Sequence, residues 1–243
     1  MNSPLPIPIL MYHRIGERVK ASIVPDHYVP ERLFESHIRG LKRRGFRIIS
    51  LAELHRLFQS KAPNTDKLIA ISFDDGFENF YTGGMPILKK HNVTASVFLV
   101  ADCIGKTNQW CIEQGDVTER MMTVEQIQEG REQGVEFGSH TITHPNLPKC
   151  TDELAASEIV ESKDRIEKMV GFPVDWFSYP YGYYGDRDKK LVEEAGYLGG
   201  LSTRRIGNTQ QTDRFALGRI NVRFTTSTPY LFYKLYKAKK KHV

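Results

Sequence analysis

Short apolar segments alternate along the chain with longer segments in which apolar residues recur at helical spacing. The strand candidates are residues 7–12, 46–49, 67–73, 94–100, 135–138, 174–179, 197–202 and 215–222. Several of them are apolar runs bounded by polar or turn residues, which is typical of buried parallel strands. The helix candidates are residues 31–44, 51–58, 77–90, 123–133, 152–170 and 186–195. This alternation predicts an α/β domain.

Two of the predicted helices have a recognisable apolar face. In residues 31–44 the face consists of Leu33, Phe34, Ile38 and Leu41. In residues 152–170 it consists of Leu154, Ile159, Ile166 and Met169. Thr151 directly precedes the second helix, where a hydroxyl side chain is a favourable N-cap.

The composition indicates one large domain or two small ones. The chain has 243 residues, of which 40% are hydrophobic and 26% charged, which excludes collagen, coiled coils and disordered chains. No apolar run approaches the roughly 18–20 residues of a membrane span. The opening residues lack the pattern of a signal peptide. If residue 1 is the native start, we expect a cytoplasmic protein, with a peripheral position at the inner face of the membrane as an alternative.

Cysteine usage agrees with that location. Cys103, Cys111 and Cys150 are an odd number and form no CxxC pair. This pattern indicates free thiols in a reducing compartment rather than a disulfide framework, although a link between the first two remains an alternative.

The positive charge is concentrated at the C-terminus. The net charge is +5, and the last ten residues contain five lysines and no acidic residue, so residues 1–233 are neutral. Because a nucleic-acid-binding domain is expected to have a basic patch on its fold, we set that class and nucleic-acid partners aside. We divide the chain into a single domain at 1–228 and a basic, aromatic tail at 229–243. A final helix packed on the domain and a contact with an anionic membrane both fit this tail.

Titratable and loop-forming residues follow five of the predicted strands. They are His13, Asp74-Asp75-Gly76, residues 139–144, Pro180-Tyr181-Gly182 and Arg219. Barrels and open α/β sheets both build their sites at the carboxyl ends of parallel strands. A barrel brings five such ends to one mouth, whereas an open sheet brings together only those at its switch point. The spread over five strands therefore favours a barrel.

Two of these groups have the donor types of a metal site. His140 and His144 are four residues apart, and on a helical turn this spacing places both imidazoles on one side. Asp74 and Asp75 adjoin a buried strand end, where two carboxylates repel and lose hydration unless a cation compensates. One carboxylate with two histidines forms a three-ligand set, as in hydrolytic zinc sites, and the second carboxylate can take a proton from metal-bound water. Paired surface histidines and a solvated turn are the alternatives.

At these residues the chain resembles the polysaccharide deacetylases, the NodB-homology group of carbohydrate esterases. Ser72-Phe73-Asp74-Asp75-Gly76, His140-Thr141-Ile142-Thr143-His144 and Ser178-Tyr179-Pro180-Tyr181-Gly182 are similar to the three motifs of the family, in its order. The similarity covers roughly residues 7–222. It implies a distorted (β/α) barrel of seven strands, and metal-dependent hydrolysis of an N-acetyl group on an amino sugar with release of acetate.

The resemblance also implies a role for each matching residue. Asp74 would be the general base, and the backbone N–H of Tyr181 would form part of the oxyanion hole. The ligands of one divalent metal ion, Zn²⁺ or alternatively Co²⁺ or Ni²⁺, would be Asp75, His140 and His144. The candidate sugar-binding residues are Trp110, Pro180 and Tyr183, with a core or lid position as the alternative for the tryptophan.

The chain departs from the family pattern in two places. Ser178 stands where many members have the arginine that tethers the catalytic base, and the late Leu-x-His motif is missing. Both departures resemble a subgroup that includes the poly-N-acetylglucosamine deacetylases and opens with a Tyr-His dipeptide, here Tyr12-His13. The resemblance implies that His13 is the general acid and that Arg219 replaces the missing arginine. A strand-end histidine and an ordinary surface salt bridge are the alternatives.

Other functions remain open beside N-deacetylation of an oligosaccharide, polysaccharide or glycan precursor. A hydrolase of the same fold could act on a lipid- or nucleotide-linked sugar, a formyl group or another amide. A carbohydrate-binding pseudoenzyme is disfavoured because every metal and base position is filled. A non-haem iron oxygenase has the same donor types, but Asp75 and His140 lie 65 residues apart in an α/β pattern. The sequence names neither the natural sugar nor the oligomeric state.

Overall fold

The computed structural model describes residues 5–60 and 63–241. The strands are β1 (Ile9–Tyr12), β2 (Arg14–Ile15), β3 (Tyr28–Val29), β4 (Arg47–Ile49), β5 (Leu68–Phe73), β6 (Ser96–Leu99), β7 (Glu136–Ser139), β8 (Trp176–Ser178), β9 (Gly199–Leu201) and β10 (Ile220–Asn221). The helices are α1 (Glu31–Arg43), α2 (Leu51–Gln59), α3 (Met85–His91), α4 (Gln109–Glu113), α5 (Val124–Glu132), α6 (Asp152–Val170), α7 (Asp186–Glu194) and α8 (Thr228–Lys239).

Seven parallel strands curl into a distorted (β/α) barrel, which confirms the predicted fold class. Their order is β10-β1-β5-β6-β7-β8-β9, and β4 joins the first half of β5 from the side. The segment before β10 pairs with β9 through Leu201 and Leu217, while β10 itself pairs with β1. One segment thus contacts both edges of the sheet. The barrel brings the carboxyl ends of its strands to the same mouth.

The buried side chains explain why these segments become strands and helices. All six residues of β5 are buried, as the apolar run predicts for a strand covered on both faces. On α1 the predicted face packs inward through Phe34, Ile38 and Leu41. On α6 the predicted face is wrong at both ends, because Leu154 and Met169 are exposed. The residues that α6 buries are Ala155, Glu158, Ile159, Ser162, Ile166 and Val170.

The helix predicted at residues 77–90 is present but is not a regular α-helix throughout. Residues 78–79 are helical, a π-helical turn follows at Phe80–Gly84, and α3 continues from it to His91. Side chains crowd this turn, since a Cβ atom on Gly83 would lie 3.0 Å from the Ile15 side chain. Helix α4 was not predicted and lies within the long loop after β6.

The C-terminal segment forms α8, which packs on the barrel. Its inner face buries Leu231, Leu235 and Ala238 in the main core, and the Ala238 carbonyl accepts a hydrogen bond from the Gly207 N–H. The domain boundary predicted after residue 228 therefore falls at the first turn of a packed helix. Residues 242–243 of the predicted tail lie outside the described part of the chain. Across residues 5–60 and 63–241, no helix is both long enough and apolar enough to span a bilayer.

Candidate metal centre and active site

The three predicted metal ligands converge at the barrel mouth. Asp75 follows β5, and His140 and His144 follow β7. The Nε2 atoms of both histidines lie 3.5 Å from Oδ1 of Asp75, and the three ligand atoms are all within 4.8 Å of one another. All three side chains are buried.

This cluster fits a divalent metal ion. Two ligand atoms that each lie about 2.0–2.2 Å from one tetrahedral Zn²⁺ are separated by roughly 3.3–3.6 Å, close to the observed spacing. The Nδ1 atom of His140 lies 2.7 Å from the Ser178 carbonyl, so an N–H there leaves the Nε2 lone pair for a metal. Burial lowers the pKa of both imidazoles, which keeps them neutral. Burial and the charge of Asp74 raise the pKa of Asp75 to about 7, so a cation is needed to stabilise this carboxylate.

The two histidines are not on a helical turn, which corrects the geometry expected from their spacing. Residues 140–144 form a loop in which Thr141 and His144 have left-handed φ angles of 72° and 64°. The hydroxyl of Thr141 accepts the backbone N–H of His144 at 3.0 Å. The imidazoles meet because this loop folds back on itself.

A buried glutamate on α6 holds this histidine loop in place. Glu158 is 4% exposed and accepts the backbone N–H groups of Ile142 and Thr143 at 2.8 and 2.9 Å. It also accepts the Thr143 hydroxyl at 2.6 Å. The sequence prediction missed this residue, because nothing in the helical pattern of α6 marks one glutamate as facing a loop.

We expect Glu158→Ala to lower the metal affinity about 10–100-fold, the usual cost of losing an outer-shell partner. The loop would keep its ligands but lose three hydrogen bonds to one carboxylate. Metal titration of the purified variant measures the change. Glu161→Ala, on the exposed side of the same helix, is the matched control and should bind metal normally. Equal affinities in the two variants would contradict the positioning role of Glu158.

Backbone strain is concentrated at this site. Among the described residues, five non-glycine residues have left-handed φ angles, and four of them are Asp75, Thr141, His144 and Tyr181. The fifth, Asn92, ends a helix, where this conformation is common. Strained positions cost of order 1–3 kcal/mol each and tend to cluster where function requires them. The surrounding hydrogen bonds therefore fix a geometry that the local sequence disfavours.

The other carboxylate of the pair is bound by Arg219. The guanidinium donates to Oδ1 of Asp74 at 2.6 Å and to Oδ2 at 2.8 Å, a bidentate pair in which both side chains are buried. The remaining N–H groups of Arg219 reach three serine oxygens, on Ser202 at 3.0 Å, Ser72 at 3.3 Å and Ser178 at 2.9 Å. Every guanidinium hydrogen thus has an acceptor.

Ser178, the residue that replaces the family arginine, completes this arrangement. Its hydroxyl accepts from Arg219 and donates to Oδ1 of Asp74 at 3.2 Å. Burial alone would raise the pKa of Asp74, but the charge and hydrogen bonds of Arg219, with the Ser178 hydroxyl, hold it below its ordinary value. Asp74 is therefore an oriented carboxylate beside the candidate metal site, held by Arg219.

His13 lines the same cavity and stacks on a second histidine. The ring centroids of His13 and His27 are 4.2 Å apart with 26° between the planes. Burial lowers the pKa of His13 well below its usual range, and the neighbouring His27, Arg219 and His140 lower it further. Its buried Nδ1 has no hydrogen-bond partner among the described residues. The sequence offered no signal for His27, which enters from the loop between β2 and β3.

A buried ion pair joins two loops at the mouth. Arg14 on β2 donates to Asp116 at 2.7 Å, and the other oxygen of Asp116 accepts the backbone N–H of Ile23 at 2.9 Å. The guanidinium also lies over the Phe77 ring at 4.4 Å. This pair, which sequence reasoning missed, fixes one wall of the cavity.

The three predicted sugar-binding residues have different positions. Trp110 is 7% exposed and stacks on His144 at a centroid distance of 4.8 Å, so it forms a buried wall rather than an open platform. Tyr183 is 56% exposed at the rim and stacks on Tyr181. Pro180 is buried and lies outside the lining of the cavity, which corrects its assignment as a sugar contact. It instead begins the turn that presents Tyr181.

All the acid, base and ligand candidates surround one cavity of about 370 Å³. A second cavity of about 620 Å³ adjoins it and shares a wall. The shared residues are Trp110, Gln114, His144 and Tyr181. The Gln114 amide donates to the Tyr181 hydroxyl at 2.9 Å, which links the two sides of this wall.

Comparisons with known proteins all point to one family. A family model described as polysaccharide deacetylase matches residues 61–200. The chain is 29% identical to the putative polysaccharide deacetylase YxkH of Bacillus subtilis over 90% of the chain and 72% of that protein. It is 26% identical to a poly-beta-1,6-N-acetyl-D-glucosamine N-deacetylase of Staphylococcus epidermidis over 82% of the chain and 69% of that protein. The solved structure of the Streptococcus pyogenes deacetylase PplD superposes with a TM-score of 0.81 at 25% identity, covering 96% of this chain and 99% of that one.

Proposed function

The chain belongs to the polysaccharide deacetylase family, and we propose that it is a metal-dependent hydrolase that removes the acetyl group from an N-acetylated amino sugar. The observation that carries this proposal is the pairing of two adjacent carboxylates with different partners. Asp75 faces two histidines, as a metal ligand would. Asp74 is instead paired with Arg219, which keeps it unprotonated and able to accept a proton. Water and the acetamide give acetate and the free amine.

The reaction requires one carboxylate to accept a proton while the other carboxylate stays bound to the metal ion. Asp75, His140 and His144 would hold the ion. A bound divalent cation supplies Lewis-acid polarisation of the acetyl carbonyl and lowers the pKa of water. Asp74 takes a proton from the attacking water, and the bidentate contact with Arg219 keeps its oxygens aimed into the cavity.

Tyr181 is in position to stabilise the charge that develops on the acetyl oxygen. Its φ of 60° turns the backbone beside His144, whose ring contacts the Tyr181 ring at a centroid distance of 4.7 Å. A backbone N–H presented in this way would act as an oxyanion-hole donor, and the loss of one such donor typically costs about 3 kcal/mol. Because the backbone N–H would perform this role, the tyrosine side chain can line the cavity.

We assign the protonation of the leaving amine to His13. The free protein holds this imidazole neutral, because burial and nearby cations lower its pKa. Negative charge that develops on the acetyl oxygen opposes this effect, so His13 can take up a proton from solvent as the reaction proceeds and pass it to the amine, while the proton that Asp74 took from water returns to solvent. We expect His13→Ala to lower kcat about 10²–10⁴-fold while metal content stays unchanged. Steady-state kinetics measures kcat, and metal analysis measures the metal content. A near-normal kcat would show that water, and not His13, protonates the amine.

Acetate release tests the proposed function directly. The metal-loaded protein is incubated with N-acetylated oligosaccharides, N-formylated analogues and lipid- or nucleotide-linked acetamido sugars, and the released acid is quantified. Release of acetate that stops with a chelator and returns with Zn²⁺, Co²⁺ or Ni²⁺ supports the proposal and ranks the metals. Release of formate alone would support the deformylase alternative. Sugar binding without any release would support the pseudoenzyme alternative.

We also propose that α8 contacts an anionic membrane surface. Its outer face exposes Tyr230, Tyr233 and Tyr236, which are 45%, 52% and 54% accessible. A lysine four residues further on lies over each of these rings. Aromatic rings with lysines can lie at a lipid headgroup layer, and each lysine near the surface contributes about 1 kcal/mol. The predicted cytoplasmic location stays a prediction.

We expect the protein to sediment with phosphatidylserine vesicles at low salt and to be released at high salt. The double variant Lys237→Glu/Lys240→Glu should stay in the supernatant. Removal of α8 is unsuitable as a test, since Leu231 and Leu235 belong to the core. Lys149→Glu/Lys168→Glu changes the total charge equally at exposed positions elsewhere and should still sediment. Sedimentation of both double variants would show that α8 is not the contact.

A further inference from the structure

Two exposed arginines lie at the rim of the catalytic cavity, on the side of β9 and β10. Arg205 comes four residues after β9, and Arg223 comes two residues after β10. Both line the cavity that contains Asp74, Asp75 and His13. Neither guanidinium has a carboxylate within ion-pairing distance in residues 5–60 and 63–241.

The acidic residues around the cavity cannot neutralise these arginines, because each already has a partner. Asp74 is bound by Arg219, Asp116 is bound by Arg14, and Asp75 faces the two histidines. The charged lining residues are Arg14, Arg205, Arg223, Asp74, Asp75 and Asp116. Arg219 lies outside the lining but neutralises Asp74, so the lining taken together with Arg219 has four arginines against three aspartates, and a bound metal ion would add positive charge. This excess of positive charge is located at the rim, on Arg205 and Arg223.

A third cation faces the same two arginines from α8. Lys234 donates to the Asn221 carbonyl at 2.7 Å and to the Thr226 hydroxyl at 3.1 Å. Burial lowers the pKa of Lys234 to about 8, and the charges of Arg205 and Arg223 contribute to that lowering. Three positive groups therefore act on one another, and none of them pairs with a carboxylate in the part of the chain that the structure describes. Such an arrangement is unfavourable for the free protein and attracts an anion.

We propose that Arg205 and Arg223 bind an oxyanion group, phosphoryl or carboxylate, that the substrate carries next to its acetylated amino sugar. The substrate is then an anionic glycan rather than a neutral polymer of N-acetylglucosamine. This inference rests on the proposed deacetylase function and adds the charge of the substrate to it. Guanidinium groups suit the role, because their planar fork binds the two oxygens of a carboxylate or phosphoryl group together.

The rim can also hold the sugar that carries this charge. Tyr183 exposes its ring beside Gly182 and Thr203 in the lining of the same cavity. A sugar ring stacked there would lie in the same cavity as the two arginines and the metal ligands. The cavity volume of about 370 Å³ admits one acetamido sugar, so the anionic group would lie at its open side.

Matched disaccharides test the proposal. Acetate release is measured on N,N′-diacetylchitobiose, on the same disaccharide with a phosphate on the neighbouring sugar, and on the same disaccharide with a carboxylate there. We expect kcat/KM to be higher for at least one anionic disaccharide. The double variant Arg205→Ala/Arg223→Ala should lose roughly 10–100-fold on that substrate only, in line with the loss of a charge-assisted hydrogen bond. The preferred anionic substrate distinguishes a phosphoryl from a carboxylate ligand.

Arg204→Ala is the matched control, since Arg204 is exposed beside Arg205 but does not line the cavity. It should leave all three substrates unaffected. Equal kcat/KM values for neutral and anionic substrates, or an equal loss on all of them in the double variant, would overturn the inference while leaving deacetylation intact. If no substrate releases acetate, the proposed function fails instead. Calorimetric affinities of the three disaccharides for the wild type and the double variant then decide the inference alone.

Discussion

His140→Ala and His144→Ala are each expected to lose the bound metal ion and all measurable deacetylation. Each variant leaves two ligands, and a site with two protein ligands binds a divalent cation far more weakly than one with three. His140 and His144 both approach Asp75 from loops outside regular structure, so their removal does not disturb a strand or helix. Atomic emission of the dialysed protein measures the metal, and acetate release measures the activity.

His91→Ala is the matched control for this experiment. His91 ends α3 and bonds to Glu35 at 2.9 Å, remote from the cavity lining. It should retain a stoichiometric ion and normal turnover. A full equivalent of metal in both His140→Ala and His144→Ala would show that the ligand set is wrong. Circular dichroism of each variant excludes a general loss of folding.

Asp74→Asn is expected to keep its metal and lose turnover by about 10²–10⁴-fold, the usual contribution of general-base catalysis. The amide has the shape of the carboxylate and fits the same space, although its NH2 group cannot accept one of the two hydrogen bonds from Arg219. It cannot accept the proton of the attacking water. Metal analysis and kcat, measured on the same preparation, separate the two effects.

The neighbouring substitution Asp75→Asn should give the opposite pattern, with loss of metal and activity together. If Asp74→Asn lost its metal and Asp75→Asn retained it, Asp74 would be the metal ligand and Asp75 the general base. Ser178→Ala serves as a milder reference, since it removes the hydroxyl's hydrogen bonds to Asp74 and from Arg219 but leaves the bidentate contact between Arg219 and Asp74. If Ser178→Ala lowered kcat as much as Asp74→Asn does, the orientation of Asp74, and not proton transfer to it, would limit the rate.

The order of elements and the location of the chemistry could be predicted from the sequence. Apolar runs such as that of β5 record burial on both faces of a strand, and this is a local property. N-cap residues act locally too, and Thr151 caps α6 as expected by accepting the Leu154 N–H at 3.3 Å. Polar residues directly after buried strands predict the position of the barrel mouth, and Asp75, His140 and His144 belong to that set.

Periodicity failed where a residue faces a neighbour other than the core. The ends of α6 illustrate this, because Leu154 and Met169 follow the apolar pattern but point to solvent. Glu158 breaks the pattern but is buried, since it binds the histidine loop. The i, i+4 spacing of His140 and His144 indicated a helical turn, whereas two left-handed residues produce the same proximity in a loop.

Closure of the barrel decided the contacts that complete the site. Arg219 lies 145 residues after Asp74, and only the pairing of β10 with β1 places its guanidinium on that carboxylate. His27 on His13 and Asp116 on Arg14 arise in the same way, from loops whose own sequences have no regular pattern. Local propensities and burial patterns act over a few residues, so the sequence by itself determined the elements and their chemically active ends. Distances across the mouth depend on how all the strands close together, and only the tertiary structure determined them.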